Sequence, residues 1–387
     1  MKASRRLRIC LSLLLALSLI VGAAPAAQAA PTEQKSFKAF TEFGDGFAAL
    51  RTNGTVALWS PGGEIPDSVR QEVGSWTEVT QILGCKGACA LVALRQDGHV
   101  RAAGFEEDWA GRDALLAEIK SWRDIVSLVA LDFFGSSVIA LNAGGALKTA
   151  GREYADWGYY FSEWKGVKSI SCGIDAPGYY FIGIRKNGTV ISSPLSLFGN
   201  ELEEYPWSGR AQNVVQVVSD GWTDAALRSN GKVVVRGYSA EDFSQTVSKW
   251  AGIQRIFLCG DLYALTSRGR LVSTNESKAE ELNSKGRVKE IYSLPGSFAS
   301  YDLAGAVLFA DGSVCMLPGY SGEETFDEEP LRSVVEAVGQ WRDVTRLWFV
   351  NGTLIGWQKD GTILSVTYGT ESNPSDSVGE LDLSAFE

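Results

Sequence analysis

A short hairpin that recurs eight times constrains this sequence more than any other feature. Ile182-Gly183-Ile184-Arg185-Lys186-Asn187-Gly188-Thr189-Val190 is a representative copy, with apolar residues alternating on either side of an Asn-Gly pair. Asn and Gly accept the positive φ values of a tight two-residue turn, so the stretch predicts two antiparallel strands joined at Asn187-Gly188. Equivalent turn glycines stand at Gly54, Gly98, Gly145, Gly188, Gly231, Gly269, Gly312 and Gly361, at intervals of 38 to 49 residues. Each follows a small-apolar pair such as Ala49-Leu50, Ala93-Leu94, Ala140-Leu141 or Ala264-Leu265. Val, Leu or Ile comes two residues after each of them.

A second strand-like element precedes each hairpin. Trp122-Arg123-Asp124-Ile125-Val126-Ser127-Leu128 is its clearest copy, and Trp76, Trp164, Trp250 and Trp341 open four more. Gln212 to Val218, Arg287 to Ser293 and Ser36 to Phe43 are copies without the Trp. A large aromatic at a fixed place in a repeat is expected to pack between units. One unit is thus strand, loop, strand, tight turn, strand and a variable link. It cannot cover both of its faces alone, but a closed ring of units can. Pro66 to Val73, Asp113 to Lys120 and Leu331 to Val338 carry helical apolar spacing in the links. The expected fold is all-β: a closed β-propeller of about eight three- to four-stranded blades, with short helices in some links. Seven blades is the alternative, if the first and last units combine at the closure.

The pattern Trp-x-Asp-Ile-Val…Ala-Leu-x-x-Asp/Asn-Gly-x-Val resembles the regulator of chromosome condensation repeat in its short bacterial form. The resemblance covers about residues 36 to 368, and the repeats look similar to those of exported propeller-type β-lactamase inhibitor proteins. It implies a propeller that binds through its loops. It carries no functional residue over, because the loops are where such repeats diverge. Nucleotide exchange on a small GTPase depends on an insertion and loops that have no match in this chain.

The N-terminus predicts export. Lys2, Arg5, Arg6 and Arg8 precede an apolar run from Ile9 to Val21, and Ala27-Gln28-Ala29 offers a cleavage site, so residues 1–29 read as a signal peptide. Removing those four basic residues takes the formal charge from −10 to −14. That surplus argues against nucleic acid and against anionic membrane surfaces. Residues 30–369 are the expected propeller and residues 370–387 a polar, disordered tail.

Chemistry is scarce. The chain has one histidine, His99, in a turn, so a Ser-His-Asp triad is not expected. Five cysteines remain after cleavage. Cys85 and Cys89 are close enough to staple one loop, whereas Cys172 and Cys259 read as small buried residues. No metal or cofactor is expected. The loops opposite the tight turns concentrate aromatic and acidic residues instead. Trp109, Tyr154, Trp157, Tyr159, Tyr160, Tyr179, Tyr180, Trp222, Phe243 and Tyr301 are the candidate binding residues, because Tyr and Trp anchor interfaces. Interleaved Asp and Glu favour a basic partner. The expectation is a secreted or cell-surface, monomeric, non-enzymatic module that binds an extracellular protein. The alternative is a glycan-binding module, or an enzyme acting on extracellular polysaccharide through two carboxylates across a central pocket.

Overall fold

Each hairpin forms as a three-residue loop rather than the two-residue turn expected from pairs such as Asn187-Gly188. Arg185 N–H donates to Thr189 O, and Gly188 N–H donates to Arg185 O, both at 2.8 Å. Of the Asn-Gly pair only Gly188 has a positive φ, at 79°. Asn187 instead turns its Oδ1 to accept the Thr189 N–H at 3.0 Å. This is the hairpin in which one left-handed glycine follows the turn. The Asx bond recurs at Asn53, Asp97, Asn230, Asp311 and Asp360.

The computed structural model describes residues 37–43, 46–60, 65–85, 90–104, 111–131, 137–151, 161–175, 178–196, 212–219, 223–237, 239–293, 303–318, 331–350, 352–367 and 377–380. These residues build eight antiparallel sheets in chain order. Blade 1 is β1 (Phe37–Phe43), β2 (Gly46–Arg51) and β3 (Val56–Trp59). Blade 2 is β4 (Val79–Cys85), β5 (Ala90–Arg95) and β6 (Val100–Gly104). Blade 3 is β7 (Ile125–Leu131), β8 (Ser137–Asn142) and β9 (Leu147–Gly151). Blade 4 is β10 (Val167–Asp175), β11 (Gly178–Arg185) and β12 (Val190–Ser196). Blade 5 is β13 (Val214–Ser219), β14 (Thr223–Arg228) and β15 (Val233–Gly237). Blade 6 is β16 (Ile253–Cys259), β17 (Asp261–Thr266) and β18 (Leu271–Ser273). Blade 7 is β19 (Val288–Ser293), β20 (Leu303–Phe309) and β21 (Val314–Pro318). Blade 8 is β22 (Val344–Val350), β23 (Thr353–Gln358), β24 (Ile363–Thr367) and β25 (Ser377–Glu380).

The blade count is therefore eight. The tail supplies a strand as well: β25 pairs antiparallel with β24, so residues 377–380 belong to blade 8 rather than to a disordered tail. All three expected link helices form, as α1 (Asp67–Gly74), α2 (Arg112–Ser121) and α5 (Leu331–Gly339). Two more, α3 (Ala240–Val247) and α4 (Glu276–Lys285), follow blades 5 and 6.

The core lies between blades. Trp76, Trp122, Trp164, Trp250 and Trp341 are all buried, each in a cluster shared by two neighbouring blades. Trp122, for instance, joins Val92 and Ala102 of blade 2 to Leu128 and Ala140 of blade 3 beneath Ile119 of α2. The ring closes the same way. Phe37, Phe40 and Phe47 of blade 1 cluster with Val350, Ile355 and Ile363 of blade 8. Phe40 meets Trp348 at 5.0 Å and Phe37 meets Trp357 at 5.4 Å between ring centroids, both edge-on.

A backbone belt runs along the tight-turn end. Gly54 O accepts from Val79 N, Gly98 O from Ile125 N, Gly145 O from Val167 N, Gly188 O from Val214 N, Gly231 O from Ile253 N and Gly312 O from Val344 N. Each bond ties the turn of one blade to the first strand of the next. The residue before that strand accepts in turn from its own blade's hairpin, as in Gln96 N to Glu78 O and Ala143 N to Asp124 O, both 2.8 Å. That residue is left-handed at Glu78, Asp124, Asn213 and Asp343, with φ of 55–60°. This explains the Asp in Trp-x-Asp-Ile, since Asn and Asp tolerate that region better than most residues.

Candidate functional site

The first strand of every blade carries a bulge after its opening residue. A bulge adds a residue that opposes nothing on its partner strand and re-aims its side chain. The eight bulged residues are Lys38, Thr80, Val126, Lys168, Val215, Gln254, Lys289 and Thr345. Val126 and Val215, at 54% and 48% exposure, are the large apolar side chains that stand out to solvent in the described residues, and the bulge is the reason. First strands of neighbouring blades lie side by side, so these residues and the one after each of them line the inner wall of the ring.

That wall is linked from blade to blade by side chains. Gln81 of blade 2 donates to Leu128 O at 2.8 Å and accepts from Leu128 N at 3.0 Å in blade 3. Gln216 of blade 5 repeats the clasp on Ile256 of blade 6. Arg255 and Glu290, at the same register in blades 6 and 7, form an ion pair of 2.6 Å. In blade 8 that position is Arg346, whose Nη1 donates to Lys38 O of blade 1 at 3.2 Å. Lys289 Nζ reaches Thr345 O at 2.7 Å.

At this sector the wall opens into a recess of about 520 Å³. It is lined by Lys38 of blade 1, Glu290, Tyr292 and Ser293 of blade 7, and Arg346, Leu347, Trp348 and Phe349 of blade 8. Its charge is one-sided. Glu290 holds Arg255 through Oε1 and accepts the Tyr292 hydroxyl on Oε2 at 3.2 Å. Burial, with the Glu290 charge beside it, pushes the Tyr292 phenol up to about 12, so it stays a neutral donor. Ser293 Oγ donates to Leu258 O at 2.5 Å. Among the described residues no carboxylate pairs with Lys38 or Arg346. The arrangement suits an anion with an apolar face. Among the described residues that line the recess, Glu290 is the one carboxylate, so these residues do not form a facing carboxylate pair.

Of the candidate binding residues read from the sequence, three lie among the described residues. Trp109, Tyr154, Trp157, Tyr159, Tyr160, Trp222 and Tyr301 lie outside the described residues. Tyr179 and Tyr180 are placed by backbone alone, in β11 opposite Ile174 and Gly173. Phe243 sits on α3 and packs half-buried against the blade 5–6 core beside Val235. Its aromatic side chain is thus used for packing. Cys259 is buried as expected, its Sγ donating to Ala304 O at 2.9 Å, and burial pushes its thiol up to about 12. Cys85 is buried in the blade 2–3 cluster, and Cys89 lies outside the described residues. The recess residues carry no local sequence signal, because they come from three separate blades and Lys38 lies 308 positions from Arg346. Aligning the repeats on the opening residue of each first strand, Ile253, Val288 and Val344, brings Arg255, Glu290 and Arg346 into one column.

Ring, belt and inner wall define an eight-bladed β-propeller with short helices in its links. No family model matches the sequence, and no curated protein matches it. Solved structures do. One is the computationally designed Ika8 protein, 15% identical over 86% of this chain and 96% of that one, with a TM-score of 0.45. Prp20p from Saccharomyces cerevisiae is 14% identical over 82% and 78% of the two chains, with a TM-score of 0.38. BBS1N, solved with ARL6DN, is 12% identical over 89% and 97%, with a TM-score of 0.38.

Proposed function

We propose that the protein is an exported, non-enzymatic binding propeller that recognises a protein partner through the connections opposite the tight turns. The backbone belt is the observation that carries this reading. Turn carbonyls and strand-start amides at the tight-turn end hold blade to blade, so that end varies little. The connections between first and second strands, and those from one blade to the next, leave at the other end. They differ in length and sequence from blade to blade, as recognition loops do.

The basic-apolar start of the chain supports export, and the acidic and aromatic loop residues supply anchors for a basic protein surface. Cross-linking the mature protein in the secreted fraction of its source identifies the partner, and titration then gives the affinity. Replacing Trp157 and Tyr159 together with Ala is expected to weaken that complex by about 1–3 kcal/mol, with the melting temperature unchanged. An unaltered affinity removes the loop assignment.

A further inference from the structure

We infer that the recess between blades 7, 8 and 1 binds an acidic saccharide unit, with its carboxylate held by Arg346 and Lys38 and its ring against Trp348. The reading starts from the charges. In a chain with a formal charge of −10, the inner wall places Arg255, Lys289, Arg346 and Lys38 near Glu290, the single acid among the described residues lining the recess. Arg255 takes up that acid at 2.6 Å. Arg346 uses one N–H on the Lys38 carbonyl and keeps the rest of its guanidinium for a ligand. Lys38 and Arg346 are both exposed, so an entering anion meets two cations that no carboxylate among the described residues pairs with.

The remaining lining selects among anions. Inorganic phosphate would use the cations and leave the Trp348 indole bare. An aromatic carboxylate would stack, but would leave the Ser293 hydroxyl oxygen without a donor. Tyr292 O–H donates to Glu290 and its oxygen already takes the Leu347 backbone N–H, whereas Ser293 O–H donates to Leu258 O and its oxygen can accept from a ligand hydroxyl. A sugar acid supplies the carboxylate, a hydroxyl donor and a flat C–H face for the half-buried indole. The volume, about 520 Å³, lies within the range of small-ligand pockets. This site is on the inner wall and stands whether or not the outer loops bind a protein.

Titration calorimetry of the mature protein with digalacturonate tests the assignment, against a neutral galactose disaccharide, inorganic phosphate and a poly-glutamate peptide. Digalacturonate is expected to bind at least about tenfold more tightly than the other three, and added salt should weaken it. Lys38→Gln and Arg346→Gln should each lower its affinity about tenfold, and Trp348→Ala should do the same. Because Trp348 also packs on Phe40 at the closure, Lys38→Gln is the decisive variant. It alters an exposed side chain and keeps the carbonyl that Arg346 uses. Equal binding of the neutral sugar, no binding of digalacturonate at millimolar concentration, or indifference to Lys38→Gln overturns the site. Tighter phosphate makes it a simple anion site, and a tighter glutamate peptide assigns it to a protein's acidic side chain; either result overturns the saccharide.

Discussion

The junction between blades 2 and 3 and that between blades 4 and 5 share one backbone scheme and differ in filling. Gly98 O accepts from Ile125 N at 3.0 Å at the first, and Gly188 O from Val214 N at 2.9 Å at the second. Trp122 then fills the first, with Leu115 and Ile119 of α2 over it. The second holds Ile182, Ile184, Val190, Val214, Val217 and Ala226, with Val234 at its margin. The belt therefore sets the ring, and the side chains set how firmly each joint holds. A repeat protein behaves as a chain of neighbouring interfaces, so local strength can vary while the architecture stays fixed.

The most severe way to break this contrast is to remove the large filler. Trp122→Ala is expected to cost about 3–5 kcal/mol in denaturant unfolding, because the cavity cannot collapse against a backbone pinned by the belt. At the blade 4–5 joint, Ile184→Val should cost only about 1 kcal/mol. Hydrogen exchange should show β11 and β14 opening before β5 and β8 in the unaltered protein. Equal protection of the two joints would end the distinction.

The next effect comes from the strand that receives the Trp. In blades 2, 3 and 6 the middle strand offers Ala93, Ala140 or Ala264 to its Trp. In blades 4 and 8 it offers Gly183 or Gly356. A Cβ on either glycine would lie 2.7 Å from a ring carbon of Trp164 or Trp341. Gly183→Ala and Gly356→Ala are therefore expected to overpack and to destabilise by about 1–3 kcal/mol. A thermal melt of each variant checks this.

The hairpin repeat was legible because turn glycines and alternating strands are local, and local patterns survive in one sequence. The five tryptophans were legible as core for the same reason, by recurring at one place. Helix α4 was missed although its signals are present: Asn275 caps it by accepting the Lys278 N–H at 3.1 Å, and Gly286 follows it. Its apolar side is only Ala279 and Leu282, too thin a stripe to register by spacing. The three-residue turn was misread because Asn-Gly fits both loops, and the choice rests on a bond from Arg185 N to Thr189 O that no residue identity encodes. The inner-wall recess depends on strand register across three blades, so it emerges only once the ring is closed.

A third joint, between blades 6 and 7, is filled in another way, and alkali should find it. Cys259, Tyr263 and Phe257 pack there with Leu282 of α4. The Cys259 thiol rises from 9.0 to about 12 in the fold, chiefly through burial. A raised folded value means that this contribution is complete below the unfolded value and is lost as pH climbs toward the folded one. Stability should then fall from about pH 9 to pH 12, at a slope approaching about 1.4 kcal/mol per pH unit for one such group. Urea melts across that window measure it, and Cys259→Ala should flatten its lower part. Tyr292, raised from 10.0 to about 12, should keep the upper part sloping.

The smallest effect separates belt from filler at the inner wall. Gln81 clasps both backbone groups of Leu128 across the blade 2–3 joint, donating at 2.8 Å and accepting at 3.0 Å. Gln81→Met removes the clasp while keeping an unbranched side chain of similar length and no new charge. A lost hydrogen bond at a part-buried site should cost about 1 kcal/mol. If Trp122 is what holds this joint, hydrogen exchange in β7 should rise only modestly. If the clasp holds it, exchange should rise as far as it does in Trp122→Ala, and the weight given to the tryptophans would have to pass to the inner wall.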